Sequence, residues 1–103
     1  MHAHNVYFSL QDQSQGAIQR LLDDCVTYLS IQHGITSFRC GVRDQTLDRD
    51  VNDLDFDVSL HIVFESRAAH DAYQIDEQHD IFVERNSDNW AGVRVFDTSV
   101  QSH

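Results

Sequence analysis

Two side chains six residues apart, Tyr73 and His79, carry complementary chemistry within the stretch AYQIDEQHDIFVE. An imidazole can remove a proton near neutrality. A neighbouring phenol can hold a carbonyl or stabilise a developing oxyanion. Together they suit an aldol-type cyclisation that needs no cofactor. The same residues also read as structure. Tyr73 falls on the apolar stripe of Ala69 and Ala72, where it can pack with its hydroxyl at the rim, and His79 sits where it can cap a break between helical segments. His4 alternates with Val6 and Phe8, so it can reach the same pocket. The wall expected around these catalytic candidates is Val6, Phe8, Val58, Phe82 and Trp90. His2 and His103 lie at the termini and are expected to be mobile.

Other constellations are weaker. Asp48-Arg49-Asp50-Val51-Asn52 imitates the start of a calcium loop, but Asp53 stands where the turn needs Gly and Ser59 where a bidentate Glu belongs. Cys25 and Cys40 fall on core-facing positions and read as buried free thiols of a reducing compartment, without the spacing of a zinc site. No phosphate-binding glycine loop or nucleophile elbow is present. No metal site and no cofactor are expected.

The elements that must position these residues follow from periodicity. His4 to Leu10 alternates as a strand, and Ser14 is placed to cap a helix bearing Ile18, Leu21, Leu22, Cys25 and Leu29. Gly34, after His33, supplies its left-handed end. Ile35 to Arg43 and Phe56 to Glu65 alternate again, with Phe38, Cys40, Val42, Phe56, Val58, Leu60, Ile62 and Phe64 on the core side. Ser66 caps a second helix, whose pattern falters at Asp76 to Gln78 and resumes through Phe82 toward Trp90. Gly92 breaks it, and Val93 to Val100 is the last strand. The order β-α-β-β-α-β predicts an α+β, ferredoxin-like fold: an antiparallel four-stranded sheet with two helices on one face.

Two helices cover one sheet face only. The other would carry Tyr7, Arg39, His61, Val63, Arg94 and Phe96. That mixture suits a subunit interface better than open surface, so a homodimer is expected. His61, inside it, is expected to pair with Asp57, with Glu65 or across the interface.

Composition narrows the partners. A chain of 103 residues fits one domain, residues 1–103. Seventeen acids oppose seven bases, all of them Arg, for a net charge of -10, which phosphate backbones and anionic membrane surfaces repel. Neither nucleic acid nor membrane is therefore expected as a partner. No apolar run approaches the length of a membrane span, and MHAHNVYFSL lacks the features of a secretory signal, which points to a cytoplasmic protein.

FESRAAHDAYQIDEQHDIF followed by VRVFD, with the opening HNVYF, resembles the stress-responsive A/B barrel (Dabb) domain family from His4 to about Val100. The resemblance implies a dimeric α/β barrel, two ferredoxin-like subunits with their sheets face to face. Most members have no assigned reaction; enzymatic relatives include plant polyketide cyclases. In cyclase-type members a Tyr on the second helix and a His just after it act at a helix–sheet cavity. Tyr73 and His79 match those positions, and His4 matches a His at the start of the first strand. Val58 stands where those members have a third-strand His, and Asp76-Glu77-Gln78-His79 where the family often has His-Pro-x-His. The expected function is a small dimeric protein that binds a small, partly apolar molecule in its helix–sheet pocket. A cofactor-independent cyclase-like enzyme and a purely structural stress-related dimer are the alternatives.

Overall fold

The computed structural model describes residues 1–102; His103 lies outside the described residues. The elements are β1 (His2–Leu10), α1 (Gln15–Asp24), a π-helical turn (Cys25–Leu29), β2 (Ile35–Val42), β3 (Val58–Phe64), α2 (Arg67–Gln74), α3 (Glu77–Asn86), a 3-10 turn (Ser87–Asn89) and β4 (Trp90–Ser99). The strands form one antiparallel sheet in the order β2-β3-β1-β4, the ferredoxin-like arrangement the periodicity predicts.

Helix starts follow local chemistry. The hydroxyls of Ser14 and Ser66 accept hydrogen bonds from the amides of Ala17 and Ala69, supplying the N-caps. The break within the second helical stretch is a true end. Ile75 and Asp76 separate α2 from α3, and the Asp76 carboxylate caps α3 by accepting from the Gln78 amide at 2.8 Å. The cap expected of His79 thus belongs to Asp76, because a carboxylate at the N-cap reaches the free amides two and three residues on. The helix expected to run toward Trp90 stops at Asn86, and Trp90 opens β4 instead.

The core lies between sheet and helices. Phe64, Leu29, Leu60, Ile62, Val58 and Cys25 are its fully buried side chains. Burying each large aliphatic or aromatic group contributes about 1.5–3 kcal/mol. A buried carboxylate, Asp24, joins α1 to α3: Arg85 Nε donates to it at 2.8 Å and Asn86 Nδ2 at 3.0 Å. Burial alone would raise its pKa, but those bonds outweigh it and hold the carboxyl below its ordinary value.

Gly34 is the residue with a left-handed backbone, φ +86. It is also a point of close approach, since a Cβ built there would stand 2.6 Å from the Ala69 Cβ of α2. β1 and β4 are in register from His2↔Ser99 to Ser9↔Gly92. The register then shifts so that Leu10 faces Trp90, leaving Ala91 as the extra residue of a bulge.

Two strand assignments change. Phe56 precedes β3 and packs against Tyr7 at 5.1 Å, on the sheet face away from the helices, rather than in the core. The chain has not yet joined the ladder there, so strand alternation does not govern it. β1 begins at His2, two residues earlier than the pattern suggests. His2 is 9% exposed rather than mobile, because it pairs with Phe64 on one side and Ser99 on the other.

Candidate functional site

A half-open cavity of about 400 Å³ lies between the sheet and the α2–α3 pair. β1 contributes His4, Val6 and Phe8; β4 contributes Val93, Val95 and Asp97; the helices contribute His70, Tyr73, Gln74, His79, Phe82 and Val83. The cavity exists because β4 is an edge strand that the helices do not fully roof. Val93 and Val95 point to the helix side yet stay 40% and 49% exposed.

The structure brings together the residues singled out for their chemistry. The Tyr73 and His79 rings meet edge to face with centroids 4.9 Å apart, and His4 and Tyr73 lie 5.7 Å apart. Tyr73 reaches the cavity because α2 puts His70, Tyr73 and Gln74 on one face by three- and four-residue spacing. His79 reaches it from the first turn of α3 after the break at Asp76. Of the expected wall, Val6, Phe8, Phe82 and Trp90 line the cavity. Val58 does not. β3 is an inner strand and Val58 is 0% exposed, with Phe8 and Val42 as its partners across the ladder.

Electrostatics divide the titratable groups into two roles. Burial lowers the pKa of His79; nearby His4 and His70 add to this, while Asp80 and Asp76 oppose it. The ring is therefore neutral near pH 7 and can accept a proton. Burial pushes the Tyr73 phenol well above its ordinary range, so it stays protonated and can donate. Burial lowers His4 as well, against the opposing pull of Asp97. The indole Nε1 of Trp90 is the buried side-chain polar atom that lacks a hydrogen-bond partner among the described residues. A bound acceptor would satisfy it.

Three participants have no functional role assigned from the sequence: His2, His70 and Asp97. Asp97 Oδ1 lies 2.7 Å from His4 Nδ1, 2.9 Å from His2 Nε2 and 3.5 Å from His70 Nε2. Burial pulls the Asp97 carboxyl upward, but the bonds from His4 and His2 outweigh it and hold the group ionised. Alternation could have found Asp97, which shares a strand face with Val93 and Val95, and could have joined His2 to His4.

The opposite sheet face gathers Tyr7 with Phe56, His61 and Phe96 at ring distances of 5.1, 5.9 and 5.8 Å. His61 bonds Asn5 Oδ1 and Ser59 Oγ, each at 3.0 Å, rather than Asp57 or Glu65. Asp57 is drawn away to accept from the Leu10 amide at 2.8 Å. Arg39 and Val63 share this face in register with His61 and Ala3. Arg94 is tied to Asp53 at 2.6 Å. In the loop before β3, Asp53 is thus engaged by Arg94, and Asn52 Oδ1 accepts from the Arg49 amide and Nε. Cys25 is buried and Cys40 half-buried; both are free, and burial raises both thiols. Among the described residues, no helix is long and apolar enough to cross a membrane.

Comparison with known proteins places this geometry. A Dabb family protein with a ferredoxin-like fold from Mesorhizobium loti superposes with a TM-score of 0.80 at 23% identity, over 98% of this chain and 97% of that one. A hydroxynitrile lyase from Passiflora edulis gives 0.78 at 17%, over 99% and 94%. A dimeric ferredoxin-like protein of unknown function from Thermobifida fusca gives 0.78 at 11%, over 96% and 90%. Identities this low speak to the fold alone. No curated protein matches the chain. The sequence profile of the stress-responsive A/B barrel domain matches residues 3–100, and the chain therefore belongs to that family.

Proposed function

We propose that the protein is a homodimer whose helix–sheet cavity binds a small, partly apolar molecule. The observation that carries this is the cavity of about 400 Å³, walled by Val6, Phe8, Phe82 and Val95, with His4, Tyr73 and His79 along one side. Ligand pockets combine this kind of apolar wall with a few polar groups that orient the guest. Similar structures described as dimeric, and the exposed aromatic cluster around Tyr7, support the assembly. The unpaired thiols Cys25 and Cys40 suit a reducing, cytoplasmic setting.

The test is titration with N-phenyl-1-naphthylamine, a neutral apolar probe that brightens on leaving water. Saturable brightening, lost in Val95→Phe, supports the reading. Val95 lines the cavity from a half-exposed edge, so the larger ring fills it without disturbing the buried core. No saturable signal, or an unchanged signal in Val95→Phe, sinks the cavity reading and favours a purely structural dimer.

The close Tyr73–His79 pair favours a second reading, proton-transfer catalysis. One similar structure is a hydroxynitrile lyase, so the fold can carry an enzyme. His79 would take the α-proton of a carbonyl compound while the Tyr73 hydroxyl donates a hydrogen bond to the enolate oxygen. Deuterium exchange into the methyl group of acetophenone, followed by NMR, tests this. Exchange above background, lost in His79→Ala and weakened in Tyr73→Phe, supports catalysis. Background exchange in the unaltered protein removes the catalytic reading and leaves binding standing.

A further inference from the structure

We propose that His2, His70 and Asp97 bind one divalent transition-metal ion at the mouth of the cavity. Their ligand atoms, one from each residue, all lie within 4.8 Å of one another. Two imidazoles and a carboxylate form a donor set that suits zinc, cobalt, nickel or ferrous iron, and not the all-oxygen preference of calcium or magnesium. Tetrahedral zinc with bonds of about 2.0–2.1 Å spaces its ligand atoms roughly 3.4 Å apart. Here Asp97 Oδ1 is 2.9 Å from His2 Nε2 and 3.5 Å from His70 Nε2, so only small shifts are required of those two contacts.

The proton arrangement points the same way. His70 Nδ1 lies 3.0 Å from Asp71 Oδ1. A carboxylate oxygen can only accept, so Nδ1 carries the proton. With Nδ1 so engaged, Nε2 is the nitrogen left for a ligand bond, 3.5 Å from Asp97 Oδ1. Gln74 Nε2 also approaches that nitrogen at 3.5 Å, a long contact that a metal bond would replace. Asp71 is the outer partner that fixes the tautomer of a ligating imidazole, a common feature of metal centres. His4 serves Asp97 in the same way, donating from Nδ1 at 2.7 Å and accepting weakly from Gln74 at 3.5 Å on its other nitrogen.

The site is built rather than accidental. The side chains of His2 and His70 are each 11% exposed, their ring centroids lie 4.4 Å apart with the planes tilted by 39°, and they come from β1 and α2. Asp97, 41% exposed, leaves an approach for water or a ligand atom as a fourth donor. Because Asp97, His70 and His4 also line the cavity, the ion would sit beside any guest, but its binding needs none.

The experiment is calorimetric titration of untagged, chelator-stripped protein with zinc, together with the visible spectrum of the cobalt-loaded protein. The expected result is one ion per chain at micromolar affinity or tighter, with cobalt bands of a low-coordinate site. His70→Ala and Asp97→Asn each weaken affinity at least about 100-fold, and Asp71→Asn about 10-fold, the usual range for an outer partner. Asp97→Asn keeps the shape of the side chain, and circular dichroism confirms that each variant is folded. Absence of binding below millimolar zinc overturns the proposal. So does binding that survives both His70→Ala and Asp97→Asn, which would place the ion on other histidines.

Discussion

Gly34→Ala tests how the turn before β2 sets the position of α2. Three effects add. The left-handed backbone, φ +86, costs an alanine about 1–2 kcal/mol. The new methyl would stand 2.6 Å from the Ala69 Cβ, well inside ordinary contact, and forcing such an overlap costs about 1–3 kcal/mol. Stiffening of the unfolded chain returns about 0.4–1 kcal/mol. The net loss is about 3 kcal/mol, or a fall of roughly 10–20 °C in Tm for a domain of this size. Neither side can yield cheaply. The Gly34 carbonyl is fixed by the Glu65 amide at 2.8 Å, and Ala69 lies in the first turns of α2, on which the cavity residues His70 and Tyr73 depend. The assay is urea denaturation followed by circular dichroism. Adding Ala69→Gly should recover the overlap part alone, giving a coupling energy of about 1–3 kcal/mol in a double-mutant cycle. Gly16→Ala, with nothing within 4 Å of the added methyl, is the control and should be neutral or slightly stabilising. A loss below about 0.5 kcal/mol for Gly34→Ala, or no coupling to Ala69, would refute this reasoning.

Stability should rise with pH between about 5 and 7, because burial lowers His4 and His79 below their unfolded value of 6.5, so the unfolded chain binds more protons in that window. Tm at the two ends measures it, His4→Gln should flatten it, and a fall in Tm toward pH 7 would show that charged histidines hold the fold. Val63→Arg should convert a dimer into the 11.9 kDa subunit in sedimentation, since it puts an unpaired charge on the sheet face opposite the helices; an intact dimer would move the interface elsewhere. Asp24→Ala should lower Tm by detaching α1 from Arg85 and Asn86 on α3, and an unchanged Tm would mean that solvent replaces those bonds without loss.

What the sequence revealed followed from period. The alternation of Val58, Leu60, Ile62 and Phe64, and the spacing of Leu21, Cys25 and Leu29, locate the core because burial is repeated along each element. The encounter of Tyr73 with His79 was legible because both lie near one helix break. Features made by distant segments were not. Asp97 meets His2 and His4 across more than ninety residues of chain, and no local pattern reports that meeting. His2 looked like a loose end because nothing before it shows that β1 starts there. Phe56 was misplaced for a related reason: alternation was extended two residues beyond the hydrogen-bonded ladder that enforces it.

The bulge at Ala91 sets the parity of the last strand. In an unbroken strand, Trp90 would point to the opposite side from Val93, Val95 and Asp97, since even and odd positions alternate. One extra residue cancels the mismatch, so all four line the same cavity. Deleting Ala91 would leave Trp90 and Val93 two positions apart and the phase unchanged. Straightening the bulge with Ala91 kept, so that it takes a regular place in the ladder, would force a choice of phase. If Trp90 kept its packing against Phe8, the positions beyond it would invert, sending Asp97 to the far face and bringing Phe96 and Thr98 toward the histidines. The fold can survive such a slip, because both faces of this edge are exposed and weakly committed. The chemistry cannot. Whether one residue with no functional group of its own is bulged out or paired thereby decides whether the carboxylate and the imidazoles meet at all.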